Sequence, residues 1–171
     1  MPDDQRGQLA PYLAACASAA PEFRWTPAAN LHLTVRFLGS VERAVVDQIA
    51  GRLEAMPLRG FALGLSGLGT FQRGRLVRVV WLQVRTGVEE ARELASQVEA
   101  ECVRAGLAPE ARPFQAHLTV ARARARDGAA RPLLPVPPEP APWRAEELVL
   151  YSSRLGRAGA VYEPLRTITL S

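Results

Sequence analysis

One tetrapeptide occurs twice in this chain, as His32-Leu33-Thr34-Val35 and as His117-Leu118-Thr119-Val120, and the two copies use every histidine the sequence has. Its composition is that of a β-strand. In a strand, alternate side chains share a face, so each copy points His and Thr one way and Leu and Val the other. Each therefore presents an imidazole and a hydroxyl roughly 7 Å apart, above an apolar underside that anchors them. The copies are 117 − 32 = 85 positions apart in a chain of 171 residues. That spacing, about half the chain, predicts two lobes, each contributing one such strand, with the reactive groups between them.

The rest of the chain supplies strands and a few helices in no strict βαβ order, which predicts an α+β fold with largely antiparallel sheets. Helical patterns run from Gln5 to Ala20, with Pro11 marking a kink or late start, and from Val41 to Met56, with Ser40 as N-cap and Pro57 as the stop. The clearest helix is Val88 to Ala105, where Val88, Ala91, Leu94, Ala95, Val98 and Cys102 share one face and Gly106 stops it. Strands are expected at Leu31–Leu38, Phe61–Leu65, Leu76–Val84, His117–Ala121, Glu147–Tyr151 and Tyr162–Leu170. The glycine-rich stretch Gly67 to Gly74 reads as a loop able to contact substrate, Asp127 to Pro142 as a proline-rich surface loop, and Gly156 to Gly159 as a turn.

Size admits a single bilobal domain over residues 1–171 rather than two independent ones. No apolar run reaches the roughly 20 residues that span a bilayer, and the amino terminus carries no basic region followed by an apolar stretch, so the expectation is a cytoplasmic monomer without a membrane partner. Cys16 and Cys102 are the only cysteines, too few for a disulfide framework, and are expected to be buried free thiols. The net charge of +4 comes from 21 basic residues, all arginine, against 17 acidic ones. It is compatible with a polyanionic partner without requiring one.

Two imidazoles converging on one atom suit in-line displacement at phosphorus, where nucleophile and leaving oxygen lie on opposite sides. One deprotonates water and the other protonates the departing alkoxide, since imidazole titrates near neutrality. The hydroxyls of Thr34 and Thr119 donate to the non-bridging phosphate oxygens, where charge gathers in the transition state. A lone strand histidine is more often structural. Two in one repeated motif, exhausting the histidine supply, weigh the other way. Zinc needs three or four protein ligands and no HExxH or CxxC is present, so neither metal nor cofactor is expected. A phosphate loop and a GxSxG elbow are also absent.

These residues resemble the two-histidine phosphoesterase superfamily, defined by a doubled HxTx motif, and within it the RNA 2′,3′-cyclic phosphodiesterases, also called 2′-5′ RNA ligases. The likeness extends to Trp25-Thr26-Pro27 and Asn30 through Gly39, to Arg112-Pro113-Phe114, and to Ala121-Arg122 after the second motif. Fainter echoes lie at Leu65–Phe71, Val79–Trp81 and Leu150–Ser153. The resemblance implies a bilobal fold with a central cleft, and hydrolysis of RNA 2′,3′-cyclic phosphate ends to 2′-phosphomonoesters. It implies His32 as proton donor to the leaving 3′ oxygen, His117 as the base that activates water, and Thr34 and Thr119 as phosphate ligands. Arg36, Arg112 and Arg122 flank the motifs and are candidate phosphate contacts, and Phe71 is a candidate base-stacking ring. Two departures stand out: the family's usual first strand is missing before the first helix, and Ala116 stands where proline is common. Two alternative functions are an RNA-end-binding module with vestigial catalysis, and 2′-5′ ligation as the main activity.

Overall fold

The computed structural model describes residues 1–156 and 159–171. Its elements are α1 (Asp3–Ala19), β1 (Phe23–Trp25), a 3-10 turn (Ala28–Asn30), α2 (Arg43–Glu54), β2 (Phe61–Arg73), β3 (Leu76–Thr86), α3 (Val88–Arg104), β4 (His117–Ala123), β5 (Trp143–Ala145), β6 (Glu147–Gly156) and β7 (Gly159–Thr169). The fold is α+β with antiparallel sheets, as the strand and helix patterning predicts. The chain divides into two compact units. Unit 1 comprises Met1–Leu33, Leu63–Thr86 and His117–Trp143, and unit 2 comprises Thr34–Ala62, Gly87–Ala116 and Arg144–Ser171.

Unit 1 holds most of a sheet whose strand order is β1-β4-β3-β2-β5. One face of that sheet is apolar: Phe23, Leu65, Val80, Leu82, Val84, Leu118, Val120 and Ala121 are all buried. The residues of α1 at helical spacing, Leu9, Tyr12, Leu13 and Cys16, are buried in the same unit. Asp3 and Asp4 lie in the first turn of α1, where negative charge stabilises the helix dipole. Pro11 does not delay the helix, which starts at Asp3; it sits inside it. Because Pro11 and Gly7 are both exposed, the carbonyl that loses its backbone donor at Pro11 faces water.

The glycine-rich stretch is not a loop. Gly67 to Arg73 lies within β2 and pairs with β3 through a register with shifts at Ser66/Leu68 and Phe71/Gln72, and only Gly74 falls in the turn between the strands. Gly67 occupies the first of these irregularities with φ of +54°, a backbone conformation side chains disfavour, so the glycines serve a bulged strand. The Asp127–Pro142 segment is irregular as expected, apart from a bridge between Ala129 and Val77.

Unit 2 contains α2, α3 and the β6–β7 hairpin. Helix α3 buries Ala91, Leu94, Ala95, Val98 and Cys102, five of the six residues assigned to its apolar face, and Gly106 follows its end. Ser40 is not the N-cap of α2; Glu42 holds that position and makes no side-chain capping bond. The turn expected at Gly156–Gly159 falls on residues of which 157 and 158 lie outside the described ones. Both cysteines are buried and free. Loss of hydration pushes both thiols above their ordinary range, outweighing the opposing influence of Tyr12 on Cys16 and of Arg36 on Cys102.

Two outcomes follow for stability and reactivity. Replacing Pro11 with alanine restores a helix donor and should raise the unfolding free energy by about 1–3 kcal/mol, read from urea denaturation; a lower midpoint would contradict the placement of Pro11 inside α1. At pH 8 the native protein should react with a thiol-specific disulfide reagent at least tenfold more slowly than the denatured chain, since the thiolate is the reactive form. Rapid native labelling of either cysteine would count against their burial.

Candidate active site

The second motif lies in β4 as the sequence predicts: His117 and Thr119 are partly exposed while Leu118 and Val120 are buried. The first motif does not form a regular strand. It meets β4 at a single antiparallel bridge, Leu33 to Leu118, and Leu33 is no more buried than its neighbours His32 and Thr34. The one bridge nevertheless sets the register, because it puts His32 opposite Thr119 on the same face. His117, two positions from Thr119, is then a diagonal neighbour of His32 at roughly 7–8 Å between backbone positions.

Both histidines thus belong to unit 1, where the expectation is one from each lobe. The 85-residue spacing is real, but the chain returns to the same sheet rather than to its counterpart. Thr34 is the first residue of unit 2.

His32 is held by its Nδ1, 2.7 Å from the carbonyl oxygen of Asn30. A carbonyl can only accept, so Nδ1 carries the hydrogen and Nε2 is the nitrogen that can exchange a proton with a substrate. His117 is held by rings. Phe71 meets it edge-on with centroids 5.0 Å apart, and Trp81 lies 5.9 Å away, itself 5.4 Å from Phe71. Register explains the cluster: Trp81 pairs with Thr119 and Gln83 with His117 across β3 and β4, while Phe71 pairs with Val79 across β2 and β3, so all stand on one face. The indole lies flat over β2 at Gly69, where an added Cβ would sit 2.1 Å from two ring carbons. Phe71 is therefore a packing partner of His117. Trp81, whose role the sequence only hinted at through its place in an alternating strand, is the larger part of the same wall.

Arg122 reaches this face through a bulge. Strict alternation from His117 would turn it to the other side, since it lies five positions on. The ladder instead shifts between Val80, paired with Ala121, and Trp81, paired with Thr119, leaving Val120 as an extra residue. Val120 and Ala121 are both fully buried opposite Val80, and Arg122 emerges opposite Val79, on the side of Thr119 and His117. On its other flank Arg122 pairs with Arg24 of β1. Arg24 lies between Phe23, which is buried, and the partly buried Trp25, so it too faces outward.

Arg36 does not serve as the sequence allowed. Its side chain is 9% exposed, with Nε 2.6 Å from Glu99 Oε2, one guanidinium nitrogen on the Glu110 carboxylate and the other donating to the Ala108 carbonyl at 2.6 Å. The Glu110 carboxylate and the Ala108 and Phe37 carbonyls take its hydrogen bonds and Glu99 pairs with its charge, all within unit 2. Arg112 is exposed and has no ion pair among the described residues. Among the described residues, no three His, Cys, Asp or Glu side chains gather as a group able to hold a metal ion, and no helix is long and apolar enough to cross a membrane.

Comparison with known proteins agrees with the fold. The family model of the 2′-5′ RNA ligase superfamily matches residues 5–157. The RNA 2′,3′-cyclic phosphodiesterase of Escherichia coli K12 is 32% identical over 145 residues, covering 83% of this chain and 77% of that protein. That of Aeropyrum pernix is 39% identical over 93 residues, 54% of this chain; there the match spans about half of the relative's length, 53%. The crystal structure of E. coli LigT complexed with 3′-AMP superposes with a TM-score of 0.83 at 28% identity, covering 100% of this chain and 94% of that one.

The close approach at Gly69 can be tested directly. Gly69→Ala should displace the indole, shift the His117 ring resonances in NMR spectra, and lower the unfolding free energy by about 1–3 kcal/mol. Unchanged His117 resonances would show that the aromatic wall does not position that ring.

Proposed function

The chain belongs to the 2′-5′ RNA ligase superfamily, and on that footing we propose that it is an RNA 2′,3′-cyclic phosphodiesterase, a cytoplasmic monomeric hydrolase that opens cyclic phosphate ends to 2′-phosphomonoesters without a metal. The observation that carries this is the Leu33–Leu118 bridge, which sets two imidazoles and a hydroxyl on one face of one sheet. Relatives named as RNA 2′,3′-cyclic phosphodiesterases support the substrate class.

His117 removes a proton from water as it attacks phosphorus, and His32 protonates the departing 3′ oxygen. The assignment suits His32 because its Nδ1–H is held by the Asn30 carbonyl, which fixes the ring and leaves Nε2 as the nitrogen that exchanges a proton with the substrate. Phe71 and Trp81 restrict the His117 ring, which keeps its orientation. Thr34 and Thr119 donate to the non-bridging oxygens, and Arg122, brought to this face by the bulge, adds a charged donor to the same phosphate. With a 5′-hydroxyl RNA end in place of water, the same pair of proton transfers joins two ends through a 2′-5′ link, the 5′ oxygen bonding to phosphorus as the bond to the 3′ oxygen breaks. The superfamily's name keeps that second activity in view.

In buffer with EDTA, the purified protein should convert a 2′,3′-cyclic mononucleotide to the 2′-monophosphate with a bell-shaped dependence of kcat/KM on pH. His32→Ala and His117→Ala should each lose roughly 10²–10⁴-fold, and Thr119→Val roughly 10–100-fold. Full activity in either histidine variant, a requirement for added metal, or a 3′-monophosphate product would overturn the corresponding part of the proposal.

A further inference from the structure

Arg24 and Arg122 face each other on adjacent strands. They are direct partners in the antiparallel register of β1 and β4, both are exposed, and among the described residues neither takes part in an ion pair. Like charges placed directly opposite one another destabilise a sheet. Four of the eight other arginines of unit 1 differ: Arg6 pairs with Asp3, Arg73 with Asp127 and Arg85 with Glu139, and Arg124 donates to the Pro21 carbonyl. Two uncompensated guanidinium groups side by side form a seat for an anion, and their forked donors match phosphate oxygens.

The position of that seat follows from the same registers. Along β4, the bulge brings Arg122 within about two ladder steps of Thr119, roughly 7 Å. Across the strand gap, Arg24 lies roughly 5 Å beyond Arg122. The chain leaves β1 after Trp25 and returns to the same edge of β4 at Leu33, so Arg24 and His32 border the same side of β4. Arg122 is near enough to the reacting phosphate to share it. Arg24 is one step farther out and stands where the next phosphate of a nucleic-acid strand would pass.

We infer that Arg24 binds the phosphodiester on the 5′ side of the terminal cyclic nucleotide and makes this protein prefer an RNA chain end over a free cyclic mononucleotide. This rests on the phosphodiesterase proposal and deepens it: Arg122 holds the reacting phosphate, and the pair as a whole spans two consecutive phosphates. A mononucleotide lacks the second and leaves Arg24 unused.

The test compares a 2′,3′-cyclic mononucleotide with a trinucleotide carrying the same cyclic-phosphate end, at fixed salt. For the wild-type protein, kcat/KM should favour the trinucleotide by about tenfold or more. Arg24→Met should reduce that ratio at least fivefold, chiefly through KM, and Arg24→Lys should recover part of it because a point charge survives. The salt dependence of binding a 2′-phosphate-ended trinucleotide should flatten by about one phosphate contact in Arg24→Met. Equal kcat/KM for the two substrates, or an equal loss on both in Arg24→Met, would overturn the inference while leaving hydrolysis intact. If the wild-type protein turns over neither substrate, the phosphodiesterase proposal fails. The arginine seat is then decided by the binding measurement alone, surviving only if Arg24→Met weakens trinucleotide binding and flattens its salt dependence.

Discussion

The pairing of β4 with its neighbours carries the site. On one edge the ladder to β3 aligns His117 and Thr119 with Gln83 and Trp81. On the other, a three-residue pairing with β1 and one later bridge at Leu33 attach the whole first motif. A one-residue slip in any of these would turn its functional side chains to the buried face. Slippage is opposed by the fully buried set on the far side: Phe23, Val80, Leu82, Leu118, Val120 and Ala121 have less than 2% or about 2% of their surface exposed. The apolar face thus specifies where the polar one points.

Arginine is used in two distinct ways. In unit 2, Arg36 has two carboxylates and two carbonyls, and the buried Glu101 is matched by Arg52 and Arg104. A charge removed from water is tolerated there because its partners accompany it. In unit 1, Arg24 and Arg122 stay solvated and face each other. That arrangement stabilises nothing within the chain, and it is the one whose cost an external anion would offset.

Much of this was legible in the chain. The doubled HxTx motif singled out His32, His117, Thr34 and Thr119. The helical periodicity of Val88–Ala105 matches α3 to within a residue at its end, and the alternation of His117–Ala121 matches β4. The lapses share a cause. Leu31–Leu38 alternates in sequence yet makes one bridge, because strand formation depends on an available partner edge as well as on pattern. The glycines of 67–74 look like a loop, but one sits at a bulge and another admits the Trp81 ring, demands that arise only once β2 and β3 are packed. Pro11 is tolerated because its face of α1 meets solvent, which local rules for proline do not consider.

The sequence by itself determined which reactive groups are present: two imidazoles and two hydroxyls in matched settings, able to exchange protons and donate hydrogen bonds, since those properties belong to side chains. Only the tertiary structure decided which groups share a surface. It gathered both histidines into one unit, withdrew Arg36 into ion pairs, and used one extra residue at Val120 to rotate Arg122 to the side of His117 and opposite Arg24. Facing is a property of register, and register is set by the burial of a whole sheet rather than by any local run of residues.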